Sequence, residues 1–243
     1  GFVARFDVSK YPDQRHLMVD VVREYNEQVI QAVAGQVPAV KFQIAFFEQF
    51  GDLGYTILKR NMSTASRLGL KVILDAKRGD IGSTARGYCN AYLHNEAMDE
   101  SAFLSADFLT VNPFMGFDTL DPFIEACQQQ DKGLFVLLKT SNPGSSDIQD
   151  LILADGTLLH EHLAQKLNEI SERIRGTNAY SCLGVVVGAT YPEQAQRLRS
   201  ILPNSFFLVP GLGTQAGDVK MMHHFFNSDQ LGALFNVSRG IMF

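Results

Sequence analysis

The sequence has no tryptophan and only three cysteines among its 243 residues. Cys89, Cys127 and Cys182 lie far apart, are odd in number and match no metal-binding spacing. We therefore expect free thiols in a reducing compartment, which excludes a disulfide-stabilised secreted scaffold. The six histidines form no HxxxH or HExxH pair, and the adjacent His223 and His224 would point about 100° apart on a helix. No metal site is predicted.

Long apolar runs and blocks of like charge are also absent. No run reaches the roughly 18 residues that a membrane-spanning helix needs, and no signal peptide is recognisable, so we expect a cytoplasmic protein without membrane contacts. The net charge is −5, whereas a nucleic-acid-binding protein needs a positively charged surface, so no nucleic-acid partner is expected. A small phosphate ligand remains compatible with this charge, because backbone N–H groups and few cations can bind one.

Short apolar runs alternate with longer amphipathic segments along the chain. Seven runs predict β-strands, at 39–44, 71–76, 108–111, 134–139, 183–188, 206–209 and 233–237. Seven segments predict helices, at 14–34, 53–68, 83–104, 119–130, 157–175, 192–201 and 217–226. This alternation is typical of βαβ units in a parallel sheet. An eighth strand before the first helix has only residues 2–7 available.

The composition predicts one domain over residues 1–243. Hydrophobic residues make up 46% of the chain, and no linker-like composition divides it. Charged and polar residues that could take part in binding or catalysis follow almost every predicted strand. The βα loops of a closed barrel would gather such residues at one face, whereas an open doubly wound sheet would concentrate them near one switch point. The pattern therefore favours a single (β/α)₈ TIM barrel, with the open sheet as the alternative.

The densest set of charged residues lies where the second predicted strand ends. Asp75 and Lys77 point to the same side of that strand, and the preceding Val-Ile-Leu run indicates a buried position. A buried carboxylate and ammonium are costly unless they are paired or used. Gly79 and Gly82 permit a turn that brings Asp80 back towards Lys77. The pattern predicts either a buried ion pair or two acids that hold a proton donor charged.

Lys41 is unexpected inside the apolar segment VKFQIAFFE, at residues 40–48. Taken alone, it fits a lysine on an edge strand whose ammonium reaches water. Beside the charges that follow the next strand, a network is the better interpretation. Its members would be Lys41, Asp75, Lys77 and Asp80.

Three polar loops follow later strands. VPGLGTQ, at residues 209–215, and VSRG, at residues 237–240, end the last two predicted strands. Glycines let backbone N–H groups approach an anion, and Arg239 can hold two phosphate oxygens. Alone, GLG would be an ordinary turn, but together the loops favour the phosphate site that barrels often carry after strands seven and eight. KTSNPGS, at residues 139–145, is either an ordinary turn or a loop whose Ser141 hydroxyl binds a planar polar ligand. For TVNP, at residues 110–113, we expect a structural role.

Segments from about residue 40 onwards resemble orotidine 5′-phosphate decarboxylases of the type 2 subfamily. The resemblance is most specific in DAKRGDIGSTA, at residues 75–85, and continues through VKFQIAFFE, TVNPFMG, KTSNPGSSDIQ, GVVVGAT, LVPGLGTQAGD and VSRGI. It implies a (β/α)₈ barrel that forms a homodimer with the barrel mouths at the interface. It also implies conversion of orotidine 5′-monophosphate to uridine 5′-monophosphate and CO₂, the last step of de novo pyrimidine synthesis, without metal or cofactor.

The resemblance assigns roles by position. Lys77 resembles the proton donor, Lys41 and Asp75 complete its charged network, and Asp80 reaches into the partner's site. We expect Asp75 to crowd the substrate carboxylate and Lys77 to protonate C6 of the pyrimidine. The implied substrate-binding residues are Ile81 and Thr84 beside Asp80, Ser141 at the pyrimidine, and Gln215 and Arg239 at the phosphate with N–H groups near Gly213 and Gly240.

Two features of the chain limit this assignment. Residues 1–7, GFVARFD, do not align with the GLDP-like first strand of the family, and Asp7 is a poor candidate for its aspartate. We expect an incomplete first strand and a missing last helix after Phe243.

The rivals are a metal-dependent sugar-phosphate decarboxylase or epimerase on the same scaffold, and a non-catalytic nucleotide-binding protein. Lys41 argues against the metal enzyme, since it would repel a cation, and the intact charge cluster argues against the silent protein.

Overall fold

Seven parallel strands form a nearly closed barrel in the computed structural model, which describes residues 2–94, 104–211 and 219–242. The strands are β1 (Ala39–Gln43), β2 (Lys71–Arg78), β3 (Phe108–Val111), β4 (Gly133–Lys139), β5 (Leu183–Val187), β6 (Phe207–Pro210) and β7 (Ala233–Asn236). Each strand pairs with the next in chain order. An open doubly wound sheet would reverse its order at a switch point, so the sequential order confirms the barrel expectation.

Helices connect the strands on the outside of the barrel. The α-helices are α1 (Gln14–Val33), α2 (Ala45–Glu48), α3 (Asp52–Arg67), α4 (Gly82–Tyr92), α5 (Asp121–Gln130), α6 (Ser146–Gln149), α7 (Leu159–Ile174), α8 (Pro192–Ile201) and α9 (Arg239–Met242). Local signals explain several ends. The Asp13 side chain accepts a hydrogen bond from the His16 amide at the start of α1, and Pro192 opens α8.

Two predicted helices differ from the observed ones. The helix predicted over 83–104 ends at Tyr92, and residues 95–103 lie outside the described residues. The helix predicted over 217–226 is a 3₁₀ helix, Val219–Phe225, while residues 217 and 218 lie outside the described part. The other predicted helices and all seven predicted strands are present, with ends that shift by about two residues, as helix and strand ends commonly do.

The strand expected at residues 2–7 is wrong. Phe2–Arg5 and Val8–Lys10 are short 3₁₀ helices. The Phe2 ring packs edge-on against Tyr25 of α1, with ring centroids 5.2 Å apart, so this apolar segment covers a helix instead of pairing with a strand. The Asp7 carboxylate accepts hydrogen bonds from the amide and hydroxyl of Ser9, which gives it a helix-capping role.

The hydrophobic core has two layers. The larger one lies between the strands and the surrounding helices, and its fully buried members include Leu58, Leu109 and Leu198. The smaller one is formed by Ile73, Phe135, Val186 and Leu208. Because strand side chains alternate, the next inward positions towards the carboxyl ends of the strands lie above this smaller layer, and there the polar residues gather.

Two expectations from the sequence concern disulfide bonds and membrane-spanning helices. The cysteines that the structure describes, Cys89, Cys127 and Cys182, are all free thiols, as expected. Within residues 2–94, 104–211 and 219–242, none of the helices has the length and apolar character needed to cross a bilayer.

Candidate active site

A cavity of about 240 Å³ opens at the carboxyl ends of the strands. Residues from all seven strands, together with the loop that follows β4, line it. They are Lys41, Asp75, Lys77, Thr110, Leu137, Thr140, Ser141, Asn142, Val186, Leu208, Pro210 and Asn236. The fold thus brings together four marked residues from three separate segments of the chain: Lys41, Asp75, Lys77 and Ser141.

Asp75 is the centre of the polar network in this cavity. One carboxylate oxygen, Oδ2, accepts hydrogen bonds from Lys41 Nζ at 2.9 Å and Gln43 Nε2 at 3.0 Å. The other oxygen, Oδ1, accepts from Lys77 Nζ at 2.6 Å and Thr110 Oγ1 at 3.0 Å. Asp75 is 8% exposed, so four donors replace the water that its charge would otherwise bind.

The electrostatic consequence is a carboxylate that stays ionised. Burial raises the pKa of the Asp75 carboxyl, but the charge of Lys41 and the hydrogen bonds from Lys77 and Lys41 outweigh burial, and the net pKa is lowered from its ordinary value. The two lysines differ in access. The Lys77 side chain is 44% exposed and that of Lys41 is 13% exposed, so Lys77 is better placed to meet a ligand.

The backbone at Lys77 is unusual. Its φ of 50° lies in the left-handed region, which costs a residue with a Cβ about 1–3 kcal/mol unless its surroundings hold it. The pairing of β2 with β3 also shifts between Leu74 and Arg78, as in a β-bulge. A strained backbone at the residue that the sequence marked as a proton donor points to a functional role at Lys77.

The loop after β4 places Ser141 at the cavity wall. Its backbone crosses close to Gly188, where an added Cβ would lie 2.8 Å from Ser141 atoms, so the glycine permits the close approach. The loop is tied down at its start, because the Thr140 amide donates to Gln149 Oε1 at 2.9 Å. Ser141 is therefore fixed at the cavity rather than free on the surface.

A second buried charge lies under this loop. Lys139 is 1% exposed and its Nζ contacts both oxygens of Asp150, at 2.9 and 2.8 Å, and Ser145 Oγ at 3.2 Å. Asp150 also lies 3.1 Å from Nδ1 of the buried His160. The cluster joins the end of β4 to the start of α7 and encloses the loop that carries Ser141.

The predicted phosphate-binding residues are only partly described. Arg239 and Gly240 begin α9, directly after β7, and both are exposed at the cavity end of the barrel. Among the described residues, Arg239 has no ion-pair partner. Gly213 and Gln215 lie outside the described residues, so their predicted role stays a prediction.

Asp80, Ile81 and Thr84 do not line the cavity of their own chain. Among the described residues, the Asp80 carboxylate accepts a hydrogen bond from the Ile81 amide at 2.8 Å and forms no ion pair with Lys77. The turn expected to bring Asp80 back to Lys77 therefore does not do so within one chain. Ile81 is 58% exposed and Thr84 is exposed at the start of α4.

Sequence reasoning missed the place of three polar residues, two that line the cavity and one that bonds Asp75 beside it. Gln43 lies two positions after Lys41 and so shares its inward face, a signal that alternation alone provides. Thr110, for which we expected a structural role within TVNP, lines the cavity and bonds Asp75. Its place depends on the alignment of β3 against β2, which no local pattern reveals. Asn236 ends β7, and its Oδ1 is buried without a hydrogen-bond partner among the described residues, which leaves an acceptor for a ligand.

The donor set does not resemble a metal site. Within the described residues, no three His, Cys, Asp or Glu side chains come together. At the cavity, Asp75 faces two ammonium groups, and a divalent cation beside it would be repelled by both.

Comparisons with known proteins extend over the whole chain. The model of the orotidine 5′-phosphate decarboxylase / HUMPS family matches residues 16–243. An orotidine 5′-phosphate decarboxylase of Caldicellulosiruptor bescii is 43% identical over 244 residues, which cover 100% of this chain and 79% of that protein. One of Rhodopirellula baltica is 45% identical over 216 residues, which cover 89% and 71% of the two chains. The structure of Leishmania donovani OMP decarboxylase has a TM-score of 0.77 and 35% identity, covering 92% of this chain and 80% of that one.

Proposed function

The chain belongs to the orotidine 5′-phosphate decarboxylase / HUMPS family, and on this premise we propose that it converts orotidine 5′-monophosphate to uridine 5′-monophosphate and CO₂. This is the decarboxylation step of pyrimidine biosynthesis. The observation that carries the proposal is the buried Asp75 carboxylate with a lysine on each of its oxygens, Lys41 and Lys77, at the mouth of the barrel.

The chemistry demands a strong electrostatic environment. Breaking the bond between C6 and the carboxylate leaves an electron pair on C6, with no adjacent carbonyl to delocalise it. The required reduction of the barrier is on the order of 20 kcal/mol. Asp75 stays ionised and crowds the substrate carboxylate, while the ammonium of Lys77 lies beside the carbon where negative charge develops.

Lys77 then completes the reaction. As CO₂ leaves, one proton of the Lys77 ammonium passes to C6, and the neutral amine regains a proton from solvent through its exposed side. Lys41 has less access to a ligand and stays hydrogen-bonded to Asp75, so its role is to hold that carboxylate in place.

Binding energy comes from the far ends of the substrate. Arg239, with N–H groups near Gly240 and Gly213 and the side chain of Gln215, binds the phosphate, and Ser141 contacts the pyrimidine. The guanidinium of Arg239, which forms no ion pair within the described part of the chain, lies at the cavity end of the barrel and supports the first role. The place of Ser141 on the cavity wall supports the second. A phosphate grip remote from C6 supplies energy that can be used to orient the reacting carboxylate.

The enzyme acts as a homodimer with shared sites. Large apolar side chains are exposed after three successive strands at the site end of the barrel: Phe46 is 68% exposed, Ile81 58%, Phe114 82% and Met115 53%. An apolar surface of this kind favours a protein partner. Asp80 lies beside it without a cation partner among the described residues of its own chain, which supports its insertion, with Ile81 and Thr84, into the partner's site.

Two rivals make different predictions. A sugar-phosphate decarboxylase or epimerase on this scaffold needs a divalent cation, and a silent nucleotide-binding protein turns nothing over. The paired lysines around Asp75 favour the cofactor-free decarboxylase over the first, and the presence of Lys41, Asp75 and Lys77 together favours it over the second. We place the enzyme in the cytoplasm, in line with its free thiols.

One assay separates the three functions. Decarboxylation is followed as loss of orotidine 5′-monophosphate absorbance, for wild type and Lys77→Ala, with and without EDTA. We expect the wild type to turn over at a rate that EDTA does not change. The Lys77→Ala variant should be inactive because it lacks the proton donor, and it should largely retain product binding. More than about a hundredth of the wild-type kcat in the variant would remove Lys77 from that role. Activity that is lost with EDTA and restored by Mg²⁺ would establish the metal-dependent enzyme. The absence of any turnover in the wild type would establish the non-catalytic nucleotide-binding protein.

A further inference from the structure

We infer that Thr110 is a positioning residue for Lys77, an inference that rests on the proposed function. Thr110 is fully buried in β3, and its hydroxyl makes two hydrogen bonds within the site. It accepts the Lys77 amide N–H at 2.9 Å and donates to Asp75 Oδ1 at 3.0 Å. That oxygen also accepts the Lys77 ammonium at 2.6 Å. One hydroxyl thus touches the backbone of the lysine and the counter-ion of its side chain.

The register of β2 against β3 explains why such a hydroxyl is needed. Leu74 pairs with Leu109, and the next paired residues are Arg78 and Val111, so four steps along β2 match two along β3. The extra residues form a bulge that contains Lys77. In a regular ladder the Lys77 amide would find a backbone carbonyl, whereas here the Thr110 side chain accepts its N–H.

The bulge directs the lysine. Lys77 adopts a left-handed backbone conformation that a lysine rarely takes, and it persists only where the surroundings determine it. The ladder resumes directly after it, since the Asn112 amide donates to the Arg78 carbonyl at 2.8 Å. Between Leu74 and Arg78, the Thr110 hydroxyl is the acceptor on β3 for the Lys77 amide, so its removal lets the lysine leave the geometry that proton transfer requires.

The test compares Thr110→Val, which keeps the shape and loses the hydroxyl, with Thr110→Ser, which keeps the hydroxyl and loses the methyl group. Thr119→Val is the matched control. Thr119 is also a buried threonine, but its hydroxyl donates to the Gly116 carbonyl, away from the cavity. Steady-state decarboxylation, product binding and thermal midpoints are measured for each variant.

We expect Thr110→Val to lower kcat by about 100-fold, the loss that a misplacement near 1 Å commonly causes, with product binding close to wild type. Thr110→Ser and Thr119→Val should keep kcat near the wild-type value. A kcat near wild type in Thr110→Val, or equal losses in the serine and valine variants, would overturn the role of the hydroxyl. If Thr110→Val does not fold, Thr110→Ala takes its place in the comparison with serine.

A second measurement does not depend on turnover. Hydrogen exchange of the Lys77 amide, followed by NMR, should become faster in Thr110→Val and stay slow in Thr110→Ser and Thr119→Val. Unchanged protection in the valine variant would overturn the inference even if the enzyme is active. Failure of the wild type to decarboxylate orotidine 5′-monophosphate would instead refute the proposed function, and the amide exchange would still report whether Thr110 holds Lys77.

Discussion

At the scale of single residues, the site depends on one carboxylate whose charge is stabilised by neighbours. Asp75 is buried, yet its pKa is lowered because Lys41 and Lys77 outweigh burial. A group with a lowered folded-state pKa stabilises the protein above its unfolded pKa, and this contribution is lost as the pH falls through the folded-state value. Acid therefore removes both stability and the charge that we propose crowds the substrate carboxylate.

Arg239 allows a prediction about the phosphate. Arg239→Ala should weaken binding of uridine 5′-monophosphate by roughly 2–4 kcal/mol, as for a truncated charge-assisted pair, and should leave uridine binding unchanged because uridine has no phosphate. Isothermal titration with both ligands measures the difference. Arg197→Ala is the control, since Arg197 is an exposed arginine of α8 that pairs with Glu161. Equal losses for nucleotide and nucleoside would place Arg239 away from the phosphate.

At the scale of elements, the loop after β4 is held by an ion pair whose lysine is buried. Lys139 and Asp150 lie at opposite ends of the segment that carries Ser141, and His160 of α7 completes the cluster. Buried pairs of this kind add little net stability relative to apolar residues, but breaking one by removing a single partner is costly. The value of the pair here is geometric, because it joins the two ends of the segment that carries Ser141.

Lys139→Met should therefore lower the free energy of unfolding by about 3 kcal/mol, because it leaves Asp150 without its main partner. Asp150→Asn should cost more, since the Lys139 ammonium is 1% exposed and cannot reach water. Urea unfolding of both single variants and the double variant gives the coupling between them. Lys166→Met is the control, because Lys166 forms an exposed pair with Glu169 and should change stability by less than about 1 kcal/mol. Additive effects of the two buried substitutions would show that the pair is not coupled.

At the scale of the whole molecule, the barrel leaves its proposed site incomplete. The cavity holds Lys41, Asp75 and Lys77, but Asp80 is directed elsewhere within its own chain. Exposed apolar side chains after β1, β2 and β3 surround the same end of the barrel. A two-fold dimer would cover them and make the exchange of Asp80 reciprocal, so that each chain completes the other's site.

The shared site predicts complementation between inactive variants. Lys77→Ala and Asp80→Ala proteins, each nearly inactive, are mixed and allowed to exchange subunits. In a heterodimer one site carries both lesions and the other carries none. Random pairing makes about half the dimers mixed, so the mixture should regain up to about a quarter of wild-type activity. If mass-tagged chains show exchange and no activity returns, Asp80 serves its own barrel.

The sequence by itself determined the architecture and marked the charged residues that line the cavity. Alternating apolar runs and amphipathic segments predicted all seven strands, because burial on both faces of a barrel strand leaves a local signature. The same local pattern marked Lys41, Asp75 and Lys77, because charges in or at the ends of apolar strands are costly to bury unless they are paired or used in function. The segment at residues 2–7 misled this reasoning, because its apolar side chains pack on α1 instead of in a sheet.

Only the tertiary structure decided how these residues meet. The left-handed backbone of Lys77 and the contact of Thr110 with it depend on the register between β2 and β3, strands that are about thirty residues apart in the chain. Against the turn expected from its glycines, Asp80 does not line its own cavity, and its carboxylate accepts the Ile81 amide just before α4. Local propensity acts between near neighbours, whereas strand register is set by packing of the whole barrel, so no local pattern in the sequence contains it.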